Sequence, residues 1–402
     1  MINIGLLGFG TVGQGVYRIL QEKGEDLKAL LGTEIEIKSI LVRDLYKERG
    51  TEVPLSKLTL NPEDIVSDEN IDIIVEVTGD VELSYRIISR AFDRGKHVVT
   101  ANKAVVSAYF EELSHLAEEN GVSFLYEASV AGGIPVLKPL KDQIRLNRIT
   151  RIQGILNGTC NYILTRMTDE GLAYDDVLKE AQKLGYAEAD PSSDVEGIDT
   201  MRKLRIMSTL ALGSSITEDD IICDGIDKIS DLDIELLKGK GMKVKLIAEA
   251  REVEDGYQAL VQPKALPVGS YFAGVNGADN SISMDGSYSG TLGFQGPGAG
   301  MYPTANAILT DVIDCILGTQ KKMSPLRGRK LENRNEDITG RYYLRISGYD
   351  SSFDNFSEYA QEVLLEEDGE FAFMTGDVKL YQLLQGLAEL EDKPFSLIAI
   401  EQ

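Results

Sequence analysis

The sequence predicts an α/β protein: a doubly wound, parallel N-terminal sheet, an α+β middle region and a small βαβαβ C-terminal unit. Three observations carry the prediction. Through the first third, short apolar runs alternate with stretches of helical spacing, which implies parallel strands joined by helical crossovers. One of these runs, Ile71–Val77, is nearly all apolar, as befits a strand buried on both faces. Beyond Ala128 the strict alternation stops, and 402 residues are too many for one ordinary core.

The elements follow in order. Strands are expected at Ile2–Leu7, Ile35–Val42, Ile71–Val77, His97–Thr100 and Ser123–Glu127. Helices fall between them at Thr11–Leu31, Leu83–Arg94 and Tyr109–Asn120; in the first, Val12, Val16, Ile19 and Leu20 share a face. The middle region reads as helices Val136–Gln143, Tyr162–Glu170, Tyr174–Leu184 and Val195–Leu212, with Gly185 a left-handed cap. Its strands are Ile149–Leu156, Val244–Arg251 and Tyr257–Pro263, and Gly269–Gly300 reads as turns and short strands. Tyr302–Leu317 is a helix with Pro303 near its first turn. The C-terminal unit is read as strand Tyr342–Ser347, helix Phe356–Leu364, strand Glu370–Met374, helix Leu380–Leu390 and strand Phe395–Ile400. The expected domains are 1–134 completed by helix 302–317, then 135–301, a linker 318–340, and 341–402.

Composition narrows the function classes. The chain is 43% hydrophobic and 26% charged, the balance of a soluble globular protein, with a formal net charge of −24. Such a surface repels phosphate backbones, so neither nucleic acid nor an anionic membrane is an expected partner. An anionic ligand must be held by a local exception. Cys160, Cys223 and Cys315 show no metal or redox spacing, and no basic leader or membrane-length apolar run is present. A cytoplasmic protein is expected.

One local exception stands at the start. Gly8-Phe9-Gly10-Thr11-Val12-Gly13 follows the first strand and opens the first helix, the context that gives a G-x-G-x-x-G motif meaning. Gly8 permits a tight turn, Gly10 lets backbone approach a pyrophosphate, and Gly13 lets helix and strand pack closely. The helix N-terminus offers free N–H groups and a positive dipole. This is the signature of a Rossmann-type dinucleotide site. Thr78 and Gly79, at the end of the 71–77 strand, are counted with it. After the second strand come Arg43 and Asp44. An arginine there accommodates the NADP phosphate and a carboxylate binds the NAD ribose, so the pair leans to NADP and leaves NAD open.

A second constellation lies in Ala181–Lys203, where Glu188, Asp190, Asp194, Glu196 and Asp199 lead up to Arg202 and Lys203. Ser193-x-x-Glu196 has the spacing of a capping box. Asp199 and Lys203 are spaced i, i+4 and share a helix face; a surface ion pair has the same spacing.

This segment resembles the signature of homoserine dehydrogenases, through Ala181, Gly185, Tyr186, Ala187, Asp190-Pro191, Asp194, Val195, Gly197, Asp199 and Lys203. Thr100-Ala101-Asn102-Lys103, Glu127-Ala-Ser-Val-Ala-Gly-Gly-Ile-Pro135, Asn157-Gly158-Thr159 and Gly296-Pro-Gly-Ala-Gly300 also look like motifs of that family. The resemblance covers roughly residues 1–320. It implies reversible, NAD(P)-linked interconversion of L-homoserine and L-aspartate 4-semialdehyde. It implies Lys203 as proton donor and acceptor at the alcohol oxygen, and Lys103 as a contact to nicotinamide and substrate. Glu188, Asp199, Tyr186 and Asp194 would hold the substrate, and Gly185 and Gly300 would lie near the cofactor. A lysine serves as base near neutrality only when burial or a second cation favours its neutral form, and Lys103 is expected to be that cation. A structural Na+ site is implied at Glu127 with the carbonyls of Val130, Gly132 and Ile134, an all-oxygen set suited to a hard cation. The resemblance further implies a homodimer through the middle domain, with a homotetramer open.

Three features bound the resemblance. Residues 341–402 have the size of an ACT domain but carry Tyr349-Asp-Ser-Ser-Phe353 where that domain's Asp-x-Pro-Gly turn would stand, so threonine sensing is not assumed. No aspartate kinase portion precedes the first strand, so a monofunctional enzyme is expected. Cys160 suggests the cysteine nucleophile of aspartate-semialdehyde dehydrogenase, but a buried, inert thiol fits its context better. The alternative class is a non-catalytic sensor of nucleotide and amino acid. It predicts loss of the proton-handling residues, whereas Lys103, Lys203, Asp199 and Glu188 are all present.

Overall fold

The computed structural model describes residues 1–319, 326–348, 354–367, 369–390 and 393–401. It divides into two compact units: 1–146 with 205–218 and 296–329, and 147–204 with 219–295 and 330–402.

The first unit is built on a six-stranded parallel sheet. Its spatial order is 58–59, 35–41, 2–7, 73–76, 97–100, 124–125. This is the doubly wound order in which the chain reverses direction between the first and fourth strands, opening a crevice at their carboxyl ends. The helix Thr11–Leu31 runs as expected and stops at Gly32, whose φ of 70° lets its N–H reach back to the Lys28 carbonyl. Its buried stripe, Val16, Tyr17 and Leu20, shares one core with Ile4, Ile73, Val75, Ile308 and Val312. Each such side chain contributes about 1.5–3 kcal/mol by leaving water. Gly15 lets the helix Met301–Leu317 approach closely: a Cβ there would stand 2.8 Å from the Met301 carbonyl oxygen. The pair Leu58–Thr59, too short for a periodic signal, is the sheet's edge.

The second unit holds a long mixed sheet in the order 290–297, 279–286, 149–155, 242–253, 256–267, 395–400, 339–347, 370–375, 360–367. Residues Gly269–Gly300, expected as turns and short strands, contain two eight-residue strands, Asp279–Gly286 and Gly290–Pro297. The C-terminal segment is a correction. Its order is βαβββαβ, not βαβαβ: Ala360–Glu367 is a strand hairpinned to Glu370–Thr375, the two-residue strand Val378–Lys379 pairs with Thr339 and Gly340, and the expected helix Phe356–Leu364 shrinks to the single turn Asp354–Ser357. Pairing with a neighbouring strand overrode helix-favouring residue types along a largely exposed edge. The segment also shares its sheet with the strand 256–267, through Lys264↔Ala399 and Ala265↔Ile400, both in parallel register. Buried Asp233 adds a second tie, accepting from Arg345, Tyr343 and Ser396. The segment 349–353, where the Asp-x-Pro-Gly turn would stand, lies outside the described residues.

Candidate active site

The nucleotide loop lies at the crossing point of the parallel sheet. Gly8 has a φ of 104°, and a Cβ there would stand 2.8 Å from the Val77 carbonyl oxygen. A Cβ on Gly13 would run into the Gly8 carbonyl, whereas one on Gly10 would meet nothing within 4 Å. The three glycines thus divide the work as the motif predicts: strain at Gly8, close packing at Gly13, open approach at Gly10. Thr11 and Val12 open the helix, with no acidic residue in its first turn to compete for an anion. Phe9 is buried edge-on against Tyr17 and shapes the loop from below. Across the crevice, the Thr78 N–H and hydroxyl both donate to Glu76 at 2.7 Å, and the other Glu76 oxygen accepts from Thr100 at 2.6 Å. Glu76 is fully buried and holds two strand ends in place, a role without a motif. Gly79 follows with a φ of 81°.

A cleft of about 540 Å³ opens over this loop, lined in part by Gly8, Gly10, Arg43, Lys47, Arg49 and Thr78. Arg43 is joined there by two cations that the sequence reading passed over, both in the turn after the same strand. Arg49 is braced by the carbonyls of Asp44 and Lys47, at 2.5 and 2.8 Å. Asp44 also lines the cleft, but one of its carboxylate oxygens accepts the Tyr46 N–H at 2.8 Å. Lys103 is the first residue of the helix Lys103–Ala108, capped by Asn102.

The Glu127 segment differs from a simple strand end. Glu127 lies in a single 3-10 turn, and its carboxylate accepts the N–H groups of Val136, Leu137 and Lys138 at 2.6–2.8 Å. It therefore caps the helix Leu137–Gln143 from a distance. Ala131 and Gly132 both have a φ of 55°. The carbonyls of Val130, Gly132 and Ile134 accept no hydrogen bond from the described residues. Gly300, with a φ of 130°, precedes the helix Met301–Leu317.

In the second unit the segment around Lys203 is built of side chains. The proposed capping box does not form. Pro191 starts the short turn Ser192–Val195, and Gly197, at a φ of 84°, breaks the chain before Ile198–Leu212 begins. The Asp199–Lys203 pair is buried, with side chains 4% and 11% exposed and an N···O distance of 2.7 Å. The surface alternative is thus removed. Lys203 Nζ also donates to the Leu156 carbonyl at 2.7 Å. Within this unit the charged partner of Lys203 is the Asp199 carboxylate. Asn157 donates to Asp194 at 2.7 Å and to Asp199 at 2.9 Å. Gly185 ends its helix at a φ of 81°; Tyr186 is half-exposed against Tyr162, and its carbonyl accepts from Thr159 at 2.7 Å. Glu188 is exposed. Cys160 is fully buried, and burial pushes its thiol well above the usual range, which leaves it without nucleophilic character.

No group of three or more His, Cys, Asp or Glu side chains arranged for a metal occurs among the described residues, and none of the described helices is long and apolar enough to cross a membrane.

Comparison with known proteins gives these sites a context. Residues 8–127 match the family model for the NAD-binding domain of homoserine dehydrogenase, and residues 135–313 the model for homoserine dehydrogenase itself. The homoserine dehydrogenase of Bacillus subtilis is 42% identical over 312 residues, 78% of this chain and 72% of that protein. A crystal structure of a homoserine dehydrogenase from Thiobacillus denitrificans superposes with a TM-score of 0.89 at 34% identity, covering 100% of this chain and 98% of that one. A hyperthermophilic archaeal homoserine dehydrogenase in complex with NADPH gives a TM-score of 0.69 at 27% identity over 80% of this chain and 99% of its own. The chain belongs to the homoserine dehydrogenase family of NAD(P)-dependent oxidoreductases acting on a CH–OH group.

Proposed function

We propose that the reaction, reversible interconversion of L-homoserine and L-aspartate 4-semialdehyde, runs through Lys203 and prefers NADP. The observation that carries this reading is the buried Lys203–Asp199 pair at 2.7 Å. Bound nicotinamide supplies the hydride acceptor or donor. The protein's own part is the proton: the Lys203 amine takes it from the homoserine hydroxyl as the carbonyl forms, and returns it in reduction. Asp199 and Glu188 suit the substrate ammonium, while Tyr186 and Asp194 border the same segment. Gly185 and Gly300 are assigned to the cofactor by their place in family motifs, and Lys103 to nicotinamide and substrate.

The cofactor preference rests on charge. Arg43, Lys47 and Arg49 line the cleft, while Asp44 has one oxygen committed to Tyr46. Three cations suit the extra phosphate of NADP and gain nothing from a bare ribose. The NADPH complex of the archaeal relative agrees with this preference.

A Na+ ion fits the Glu127 loop in a structural role. The carbonyls of Val130, Gly132 and Ile134 are open to it, whereas the Glu127 carboxylate is engaged by three N–H groups, so that residue's part would be its charge or its own carbonyl. A homodimer through the middle region and a cytoplasmic location complete the proposal; the wide, odd-numbered spacing of Cys160, Cys223 and Cys315 fits the latter. We also keep the division at 134, 301 and 340 as the functional one.

The test is homoserine-dependent reduction of NADP and of NAD, followed at the nicotinamide absorbance. Turnover is expected with both and a higher kcat/KM with NADP. No turnover with either would contradict the function, and a higher kcat/KM with NAD would contradict the charge argument alone.

A further inference from the structure

We propose that Asn157 is a positioning residue for the reaction, beyond its place at a helix start. The inference rests on the assignment of proton transfer to Lys203. Asn157 is 5% exposed and stands at the junction between the strand Ile149–Ile155 and the helix Gly158–Glu170. Its Oδ1 accepts the Cys160 N–H at 2.8 Å. That bond fixes the amide's orientation, because only the oxygen can accept. The Nδ2 group then faces two carboxylates, and its two hydrogens match two acceptors: Asp194 Oδ1 at 2.7 Å and Asp199 Oδ2 at 2.9 Å.

Asp199 Oδ2 is the same atom that accepts from Lys203. Asn157 and Lys203 therefore share one carboxylate oxygen, and the residue before Asn157, Leu156, gives Lys203 its second acceptor. The Leu156 carbonyl is itself held by Asn280 at 2.9 Å. One strand-to-helix junction thus grips Lys203 twice, directly and through Asp199. These two bonds take up two of the three Nζ hydrogens.

The chemistry needs this arrangement. A carboxylate facing Lys203 alone would hold the ammonium form strongly and impede proton uptake from the alcohol. The Asn157 amide offsets part of the Asp199 charge and fixes which lone pair Lys203 meets. Asp194, Asp199, Lys203 and Asp227 all act on Cys160, whose N–H the Asn157 side chain accepts, and Tyr174 feels Cys160 and Asp227 in turn.

The cap role and the positioning role can be separated, because Asp and Ser cap helices about as well as Asn. Asn157→Asp and Asn157→Ser both keep the acceptor for Cys160 and lose the amide donors. We expect each to lower kcat/KM for homoserine by ~10- to 100-fold, the size of lost hydrogen bonds to charged groups. The rising limb of homoserine oxidation against pH should move to higher pH, further for Asp, with the melting temperature and NADPH binding close to wild type. Both variants within about threefold of wild type, with an unmoved limb, would overturn the proposal and leave Asn157 a cap only. If Asn157→Asp fails to fold, Asn157→Ser decides. Lys203→Met run alongside separates the two levels: turnover retained there removes the underlying assignment, and turnover lost there with Asn157→Ser unaffected removes only this inference.

Discussion

The nucleotide cleft and the Lys203 cluster are made of different material. The cleft is a backbone object. Gly8, Gly10 and Gly13 leave room, a helix N-terminus supplies the field, and charge enters only at the rim through Arg43, Lys47 and Arg49. The Lys203 cluster is a side-chain object in which Asn157, Asp194, Asp199, Lys203 and Asn280 converge from separate stretches of chain. The first should be sensitive to any added Cβ and tolerant of charge changes away from its rim. The second should be sensitive to the loss of single polar atoms.

Substitutions can break or sharpen that contrast. The largest effect is expected at Asp199→Ala. It leaves Lys203 buried beside Asn157 without its carboxylate, a loss of ~3–5 kcal/mol by the usual cost of breaking a buried pair. A homoserine kcat/KM lower by about a thousandfold should accompany unchanged NADPH binding, read by nicotinamide fluorescence. In the cleft, Gly13→Ala forces a methyl against the Gly8 carbonyl. It should weaken NADPH binding and lower the melting temperature at a cost of ~1–3 kcal/mol, with kcat at saturating cofactor little changed. At the rim, Arg43→Ala or Lys47→Ala should each raise KM for NADP by ~10-fold and leave KM for NAD nearly as it was, one charge-assisted bond apiece.

A separate effect, on stability, depends on pH and concerns a buried lysine whose hydrogen-bond acceptors are all neutral. Lys245 is 1% exposed and donates to Asn161 at 2.8 Å, Thr165 at 3.2 Å and the Val275 carbonyl at 2.6 Å, all neutral acceptors. Burial, aided by Lys243, lowers it from 10.5 to about 7, against a weak pull from Asp169. With the folded value below the unfolded one, the unfolded chain binds the extra proton between these limits. Stability should therefore rise as pH increases from about 7 toward 10.5, by up to ~1.4 kcal/mol per unit from this group. Urea unfolding at pH 7, 8 and 9 checks it, and Lys245→Met should flatten the slope.

The contrast also explains what the sequence made legible. The parallel sheet and its loop could be read because glycines at fixed offsets and buried apolar strands are local signals. So could the helix Tyr174–Leu184 with its Gly185 stop. Asp199 and Lys203 were found by spacing, but their burial was not, since an i, i+4 pair looks the same in water and in a core. Asn157, Asn280 and Glu76 are not singled out by their residue types because their roles depend on partners 24 to 124 residues away. Lys47 and Arg49 were within reach, as basic residues in the turn that already held Arg43. The helix expected over Phe356–Leu364 gives way to the strand Ala360–Glu367 because the strand's pairing with 370–375 is a tertiary fact.

On the proposed reading, cofactor binding and proton transfer are carried by separate materials, with Lys203 the proton carrier. One preparation of Lys203→Met tests it most directly, measured for NADPH binding by fluorescence and for homoserine-dependent NADP reduction. Binding is expected within about twofold of wild type and turnover lower by ~10²- to 10⁴-fold, the usual contribution of a general base. Turnover within tenfold of wild type, with binding intact, would contradict it.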